Sequence, residues 1–104
     1  TGRALQIAFG TTASKLSSDA KDGLKNLAQK LKDKKNLRLQ LMAFAGSKSL
    51  SPSKARRMSL SRALSVRSFL IENGVRSTRI DVRALGSKTS EKPLNRVDVN
   101  IVER

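Results

Sequence analysis

Residues 37–73 read LRLQLMAFAGSKSLSPSKARRMSLSRALSVRSFLIEN, and the fold turns on them. The opening segment alternates. Leu37, Leu39, Leu41 and Ala43 share one side of an extended chain, the period-two pattern of a half-buried strand. A small polar loop, Ala45 to Leu50, follows. Ser51-Pro52 then reads as the N-cap and first residue of a helix, because a serine oxygen accepts a free backbone N–H and proline has none to lose. The helix runs to Asn73, with Gly74 as its left-handed stop and Val75 beyond. At about 100° per residue, Ala55, Met58, Ala63, Val66, Phe69 and Leu70 fall on one broad face. Arg62 projects from the middle of that face, where a permanently charged guanidinium is unfavourable unless something pairs with it. One partner for it is an acid of the chain itself, such as Asp81 or Asp98.

Working outward, Leu5, Ile7 and Phe9 alternate as a first strand that Gly10 ends. Ser17 or Ser18 caps a helix whose early turns carry Asp19 and Asp22, favourable at the positive end of its dipole. Ala20, Leu24, Leu27, Ala28 and Leu31 give it an apolar stripe, and Lys30, Lys32, Lys34 and Lys35 crowd its C-terminal end as a solvated cationic cluster. Beyond the long helix, Ile80, Val82 and Ala84 form a third strand closed by Gly86. The loop SKTSEKPLN leads to a fourth strand with Val97, Val99 and Ile101. The order β-α-β-α-β-loop-β predicts an α+β domain, a four-stranded mixed sheet with both helices packed on one face.

At 104 residues the chain makes one small domain, residues 1–104, with a Leu, Val, Ile and Ala core and only three aromatics, Phe9, Phe44 and Phe69, at core-phase positions. It opens on Thr1 rather than Met, which reads as a piece of a longer protein. No run approaches the roughly 20 apolar residues of a membrane span. Cysteine and histidine are both absent, which removes disulfides, thiol nucleophiles, imidazole bases and nearly every zinc site. Lysine and arginine number 22 against 8 acids, a formal net charge of +14. Between Lys34 and Ile71 nine basic residues stand without one carboxylate. Such a field favours polyanions: nucleic acid, acidic lipid or anionic cell-wall polymer.

Ser51-Pro-Ser-Lys54 matches the S-x-x-K pattern of serine acyl-transferases, but Ser51 is better explained as a helix cap. The eight acids are scattered, without a pair placed for acid–base work, and Leu85-Gly86-Ser87-Lys88 lacks phosphate-loop glycine spacing. The chain does not read as an enzyme, and neither a metal nor a cofactor is implied. Without Trp or Tyr it also lacks the stacking surfaces of single-strand binders, so no specific nucleic acid is expected. A second apolar stripe on the long helix, Leu60, Leu64 and Ile71, lies nearly opposite the first. It reads either as a wedge against a neighbouring helix or as a partner-binding stripe framed by Arg56, Arg57 and Arg67.

The segment Met58-Ser59-Leu60-Ser61-Arg62-Ala63-Leu64-Ser65-Val66, with Phe69-Leu70 and Gly74-Val75, resembles the L-S-x-x-R-A-x-x-V…L…G-(V/I) signature of OmpA-like domains. Arg79 to Gly86 is similar to that family's third strand, and Asn95-Arg96-Val97-Asp98-Val99 to its terminal N-R-R-V-E-(I/V). The resemblance spans essentially the whole chain. It implies a non-catalytic, periplasmic domain of a cell-envelope protein, tied to the outer membrane or cell wall and associating with peptidoglycan. Its expected ligand is the diaminopimelate residue of a stem peptide, with Arg62 at the position of the arginine that clamps a carboxylate. Loop residues Phe44, Gly46, Ser47 and Ser49 would line a pocket near it, and Ala55 stands where the family has a loop asparagine. The sequence also departs from the pattern. The family's second strand runs into G-H-T-D, whose aspartate takes the diaminopimelate ammonium, whereas here Gly46 (or Ser47, if the loop is longer) occupies that position. Asn95 replaces one arginine of the terminal pair. The implied recognition is therefore weakened or lost, and the alternatives are a scaffold that binds another envelope protein through Leu60, Leu64 and Ile71, or charge-driven polyanion binding.

Overall fold

The computed structural model describes residues 2–10, 13–47 and 50–103. Four strands and two helices alternate in them: β1 (Gly2–Ala8), α1 (Ser18–Leu31), β2 (Leu37–Phe44), α2 (Pro52–Glu72), β3 (Ile80–Gly86) and β4 (Arg96–Glu103), with a 3-10 turn at Ser77–Arg79. The caps are those the sequence predicts. Ser17 Oγ accepts from Ala20 N at the start of α1, and Ser51 Oγ accepts from Lys54 N at the start of α2. The hydroxyl in the S-x-x-K match is thus occupied as a cap. At the far end of α2, Gly74 adopts φ +97°, which lets Val75 N reach Leu70 O at 3.0 Å and Gly74 N reach Ile71 O at 3.1 Å, satisfying the last carbonyls.

The sheet order is β1-β4-β2-β3. β2 and β3 run parallel, joined through α2, while β4 inserts antiparallel between β1 and β2. That insertion brings the start of β4 beside the end of β2: Ala43 faces Val97 and Phe44 faces Arg96. The core closes between sheet and helices, with Leu24, Leu27 and Leu31 of α1, Ala63, Val66 and Leu70 of α2, and Leu39, Leu41, Val97 and Val99 of the sheet.

Three expectations need correction. Met58 and Phe69 are only half-buried, while Ser59 and Arg62 are fully enclosed, so the inward face of α2 is rotated toward Ser59. Phe44 is buried but lies outside the main apolar cluster; its ring packs under the Arg96 guanidinium, 4.3 Å from Cζ to the centroid. The stripe of Leu60, Leu64 and Ile71 is not wedged against a neighbouring helix, since those side chains remain 42, 43 and 38% exposed.

Candidate functional site

Arg62 organises the end of the sheet where β2 and β3 finish. Its guanidinium is fully buried. Nε donates to Ala13 O and Nη2 to Gly10 O, both at 2.8 Å. Nη1 donates to Phe44 O at 3.1 Å and to Asn95 Oδ1 at 2.7 Å. The Phe9 ring lies 5.3 Å from Cζ, adding a face that attracts a cation. One side chain on α2 thus ties together the β1–α1 loop, the end of β2 and the start of β4. Burial lowers the Arg62 pKa from its ordinary value, because desolvation disfavours the charged form. The acids considered as internal partners are engaged elsewhere: Asp81 pairs with Arg38 at 3.2 Å and Asp98 with Arg96 at 3.0 Å.

Asn95 connects Arg62 to the surface. Its Oδ1 also accepts from Gly46 N, and its Nδ2 donates to Gly46 O, each at 3.1 Å. Above this clamp lies a cleft of about 350 Å³ lined by Ala45, Gly46, Ser47, Ser87, Thr89 and Leu94. Gly46 and Ser47 therefore line the cleft, whereas Arg62 does not and is linked to it only through Asn95 and Gly46. Phe44 and Ala55 are not: both are buried, Phe44 against Arg96 and Ala55 in the first turns of α2 beside Gly86. Ser49 lies outside the described residues. Arg56 and Arg57 are exposed on α2 and line a different groove, and Arg67 is half-buried farther along the helix.

Sequence reasoning missed two features. Arg96 is almost fully buried, with Nε on both Asp98 oxygens, Nη2 on Glu91 Oε2 at 2.8 Å, and Nη1 on the Glu91 and Pro93 carbonyls. It pins the β3–β4 loop that forms one wall of the cleft. Ser59 is the other: its Oγ donates to Arg56 O at 2.8 Å and accepts from Gly86 N at 3.1 Å, joining α2 to the end of β3. The i, i+2 spacing of Arg96 and Asp98 on one strand face was a readable sign of the first; Ser59 stands at the serine of the L-S-x-x-R-A signature, which marked its position but not its contact with Gly86.

A model of the OmpA family matches residues 8–101. The chain belongs to the OmpA family. No curated protein matches it in sequence. Among solved structures, this OmpA-family domain is similar to the OmpA-like domain of FopA1 from Francisella tularensis subsp. tularensis SCHU S4, at 16% identity and TM-score 0.83, covering 96% of this chain and 74% of that one. The peptidoglycan-associated lipoprotein from Burkholderia pseudomallei gives 16% identity and TM-score 0.80, over 93% of this chain and 89% of the other. The C-terminal domain of Helicobacter pylori MotB gives 18% and 0.80, over 96% and 85%. At these identities the likeness carries the fold. Among the described residues no helix is long and apolar enough to cross a membrane, and no group of acids is placed to hold a metal.

Proposed function

We propose that this OmpA-family domain is a non-catalytic module of the cell envelope that faces the periplasm and associates with peptidoglycan. It takes a stem-peptide carboxylate in the cleft over Gly46 and Ser47. The observation that carries this reading is the Asn95 carboxamide, whose oxygen accepts at once from Arg62 Nη1 and Gly46 N, as one oxygen of a bound carboxylate would. Asn95 is a neutral placeholder. A ligand carboxylate that swings it aside exchanges a neutral acceptor for an ionised one on the same guanidinium, and charge-assisted bonds are roughly twice as strong. Arg62 then acts as the carboxylate contact, held for that purpose by Gly10, Ala13 and Phe44.

The cleft is small. Its 350 Å³ stands near the lower end of the roughly 300–1,000 Å³ of small-ligand pockets, room for one amino-acid side chain rather than a disaccharide. None of the residues lining it is acidic, and Gly46 offers only backbone where the family resemblance calls for an aspartate. Recognition therefore depends on the carboxylate and not on the diaminopimelate ammonium. Affinity is modest, and the surrounding positive field contributes on-rate more than selectivity.

The test is an NMR titration of the labelled domain with a diaminopimelate-containing muropeptide, at low and at moderate salt. Shifts confined to Gly46, Ser47 and the Arg62 Nε–H should persist at moderate salt and survive acetylation of the ligand ammonium. In Asn95→Asp, which places a fixed carboxylate on Arg62, affinity should fall at least about tenfold. Shifts spread over the lysines and abolished by salt would reduce the domain to a polyanion binder. Unchanged binding by Asn95→Asp would remove Arg62 from the ligand site.

A further inference from the structure

The outward face of α2 carries exposed apolar and basic side chains together. Ser53, Arg56, Arg57, Leu60, Leu64, Arg67 and Ile71 recur at helical spacing on it, and Leu60, Leu64 and Ile71 stay 42, 43 and 38% exposed. Beside it runs a groove of about 450 Å³ lined by apolar Leu60, Val82 and Ala84 together with Ser53, Arg56 and Arg57. The groove borders β3, a sheet edge whose only neighbour among the described residues is β2, so that a row of backbone N–H and C=O groups faces outward along it. No lining residue is shared with the Gly46 cleft.

We propose that this groove docks an acidic segment of another protein, lying extended along the free edge of β3 with its apolar side chains against Leu60, Leu64 and Val82. Extended peptides that add to a sheet edge take affinity from main-chain hydrogen bonds and selectivity from alternate side chains, which here meet an apolar floor on one side and guanidinium groups on the other. The sign of the partner follows from charge. The chain carries no carboxylate from Lys34 to Ile71, and arginines hold acids bidentately. The same charge disfavours a second copy in this place, since each copy carries a formal +14.

The test uses a library of random displayed peptides, selected on the domain and counter-selected on a Leu60→Glu/Leu64→Glu variant. Both positions are exposed, so the variant should keep the far-ultraviolet circular dichroism of the parent. Selected peptides should be net acidic with interspersed apolar residues, bind the variant at least tenfold more weakly, and shift the amides of Leu60, Leu64, Val82 and Ala84. The proposal is overturned if selected peptides lack acidic bias, or bind the variant equally. Tighter binding of vesicles rich in anionic phospholipid through the same residues would instead make this a membrane-facing surface. A mass that rises with concentration and returns to monomer in the variant would make it a self-association face. Either result would leave the Gly46 cleft reading untouched, because muropeptide shifts are read at different residues.

Discussion

Asn95 and Gly46 are joined by a reciprocal pair of hydrogen bonds, Gly46 N to Asn95 Oδ1 and Asn95 Nδ2 to Gly46 O, both at 3.1 Å. The carboxamide behaves like a short piece of strand, fastening the loop after β2 to the start of β4. The oxygen that closes this clamp is the one that meets Arg62, so the floor of the cleft and the buried guanidinium form one hydrogen-bonded unit.

That unit depends on the shape of Arg62. A lysine has three donors on one atom and cannot reach Gly10 O, Ala13 O, Phe44 O and Asn95 Oδ1 together. Arg62→Lys should lower unfolding stability by about 2–4 kcal/mol, the buried Phe44 carbonyl costing about 1–3 kcal/mol if orphaned and the part-buried acceptors less. The urea midpoint should fall at unchanged slope. An unchanged midpoint would show that these donors are dispensable.

The Arg96 network separates a buried partner from an exposed one. Asp98 is 6% exposed, and Asp98→Asn leaves the Arg96 charge without its enclosed counter-ion, at a cost of about 3 kcal/mol. The Glu91 side chain is 56% exposed, so Glu91→Gln should cost less than about 1 kcal/mol despite its 2.8 Å contact. Thermal denaturation of the two variants side by side decides the order.

The junction of α2 and β3 is equally specific. Ser59→Ala strands the Gly86 N–H in a buried position and should cost about 1–3 kcal/mol. Gly86 has φ +57°, and an added Cβ would stand 3.1 Å from Arg56 N. Gly74 has φ +97° with nothing within 4 Å. Gly74→Ala should therefore cost about 1–2 kcal/mol from conformation alone, and Gly86→Ala more, because the backbone of α2 must also give way. Equal losses at both positions would contradict the close approach.

Gly46 accepts a side chain without crowding: a Cβ there would meet Leu94 at 3.4 Å, an ordinary contact, and its φ is not left-handed. Gly46→Asp should add an acid to the cleft and tighten binding of an ammonium-bearing muropeptide about tenfold, while leaving its acetylated form unaffected. Calorimetry with both ligands measures the difference. Equal effects on the two would mean that the ammonium lies away from residue 46.

Much of the architecture is legible in the sequence alone. The strand of Leu37 to Phe44, the Ser51-Pro52 start and the Gly74-Val75 stop are local patterns, each determined by residues within a turn or two of one another, and the structure reproduces them. The site was legible only in part. The sequence marked Arg62 as a charge on a buried face and the resemblance marked Gly46 and Ser47, whereas Phe44 and Ala55 are buried and do not line the cleft. In Phe44 the cause is Arg96, its register partner, which draws the ring under a guanidinium.

The sequence by itself determined the element order, the caps, the apolar stripes and the sign of the electrostatic field, since all follow from periodicity and composition. Only the tertiary structure decided what Arg62 meets. Its acceptors Ala13 and Gly10 lie 49 and 52 positions away, and Asn95 lies 33. Contacts over such separations exist only once β4 has inserted between β1 and β2, and no local pattern encodes that pairing. The same insertion makes β3 the free edge beside the Leu60 stripe, a neighbourhood set by strand order rather than by any single segment.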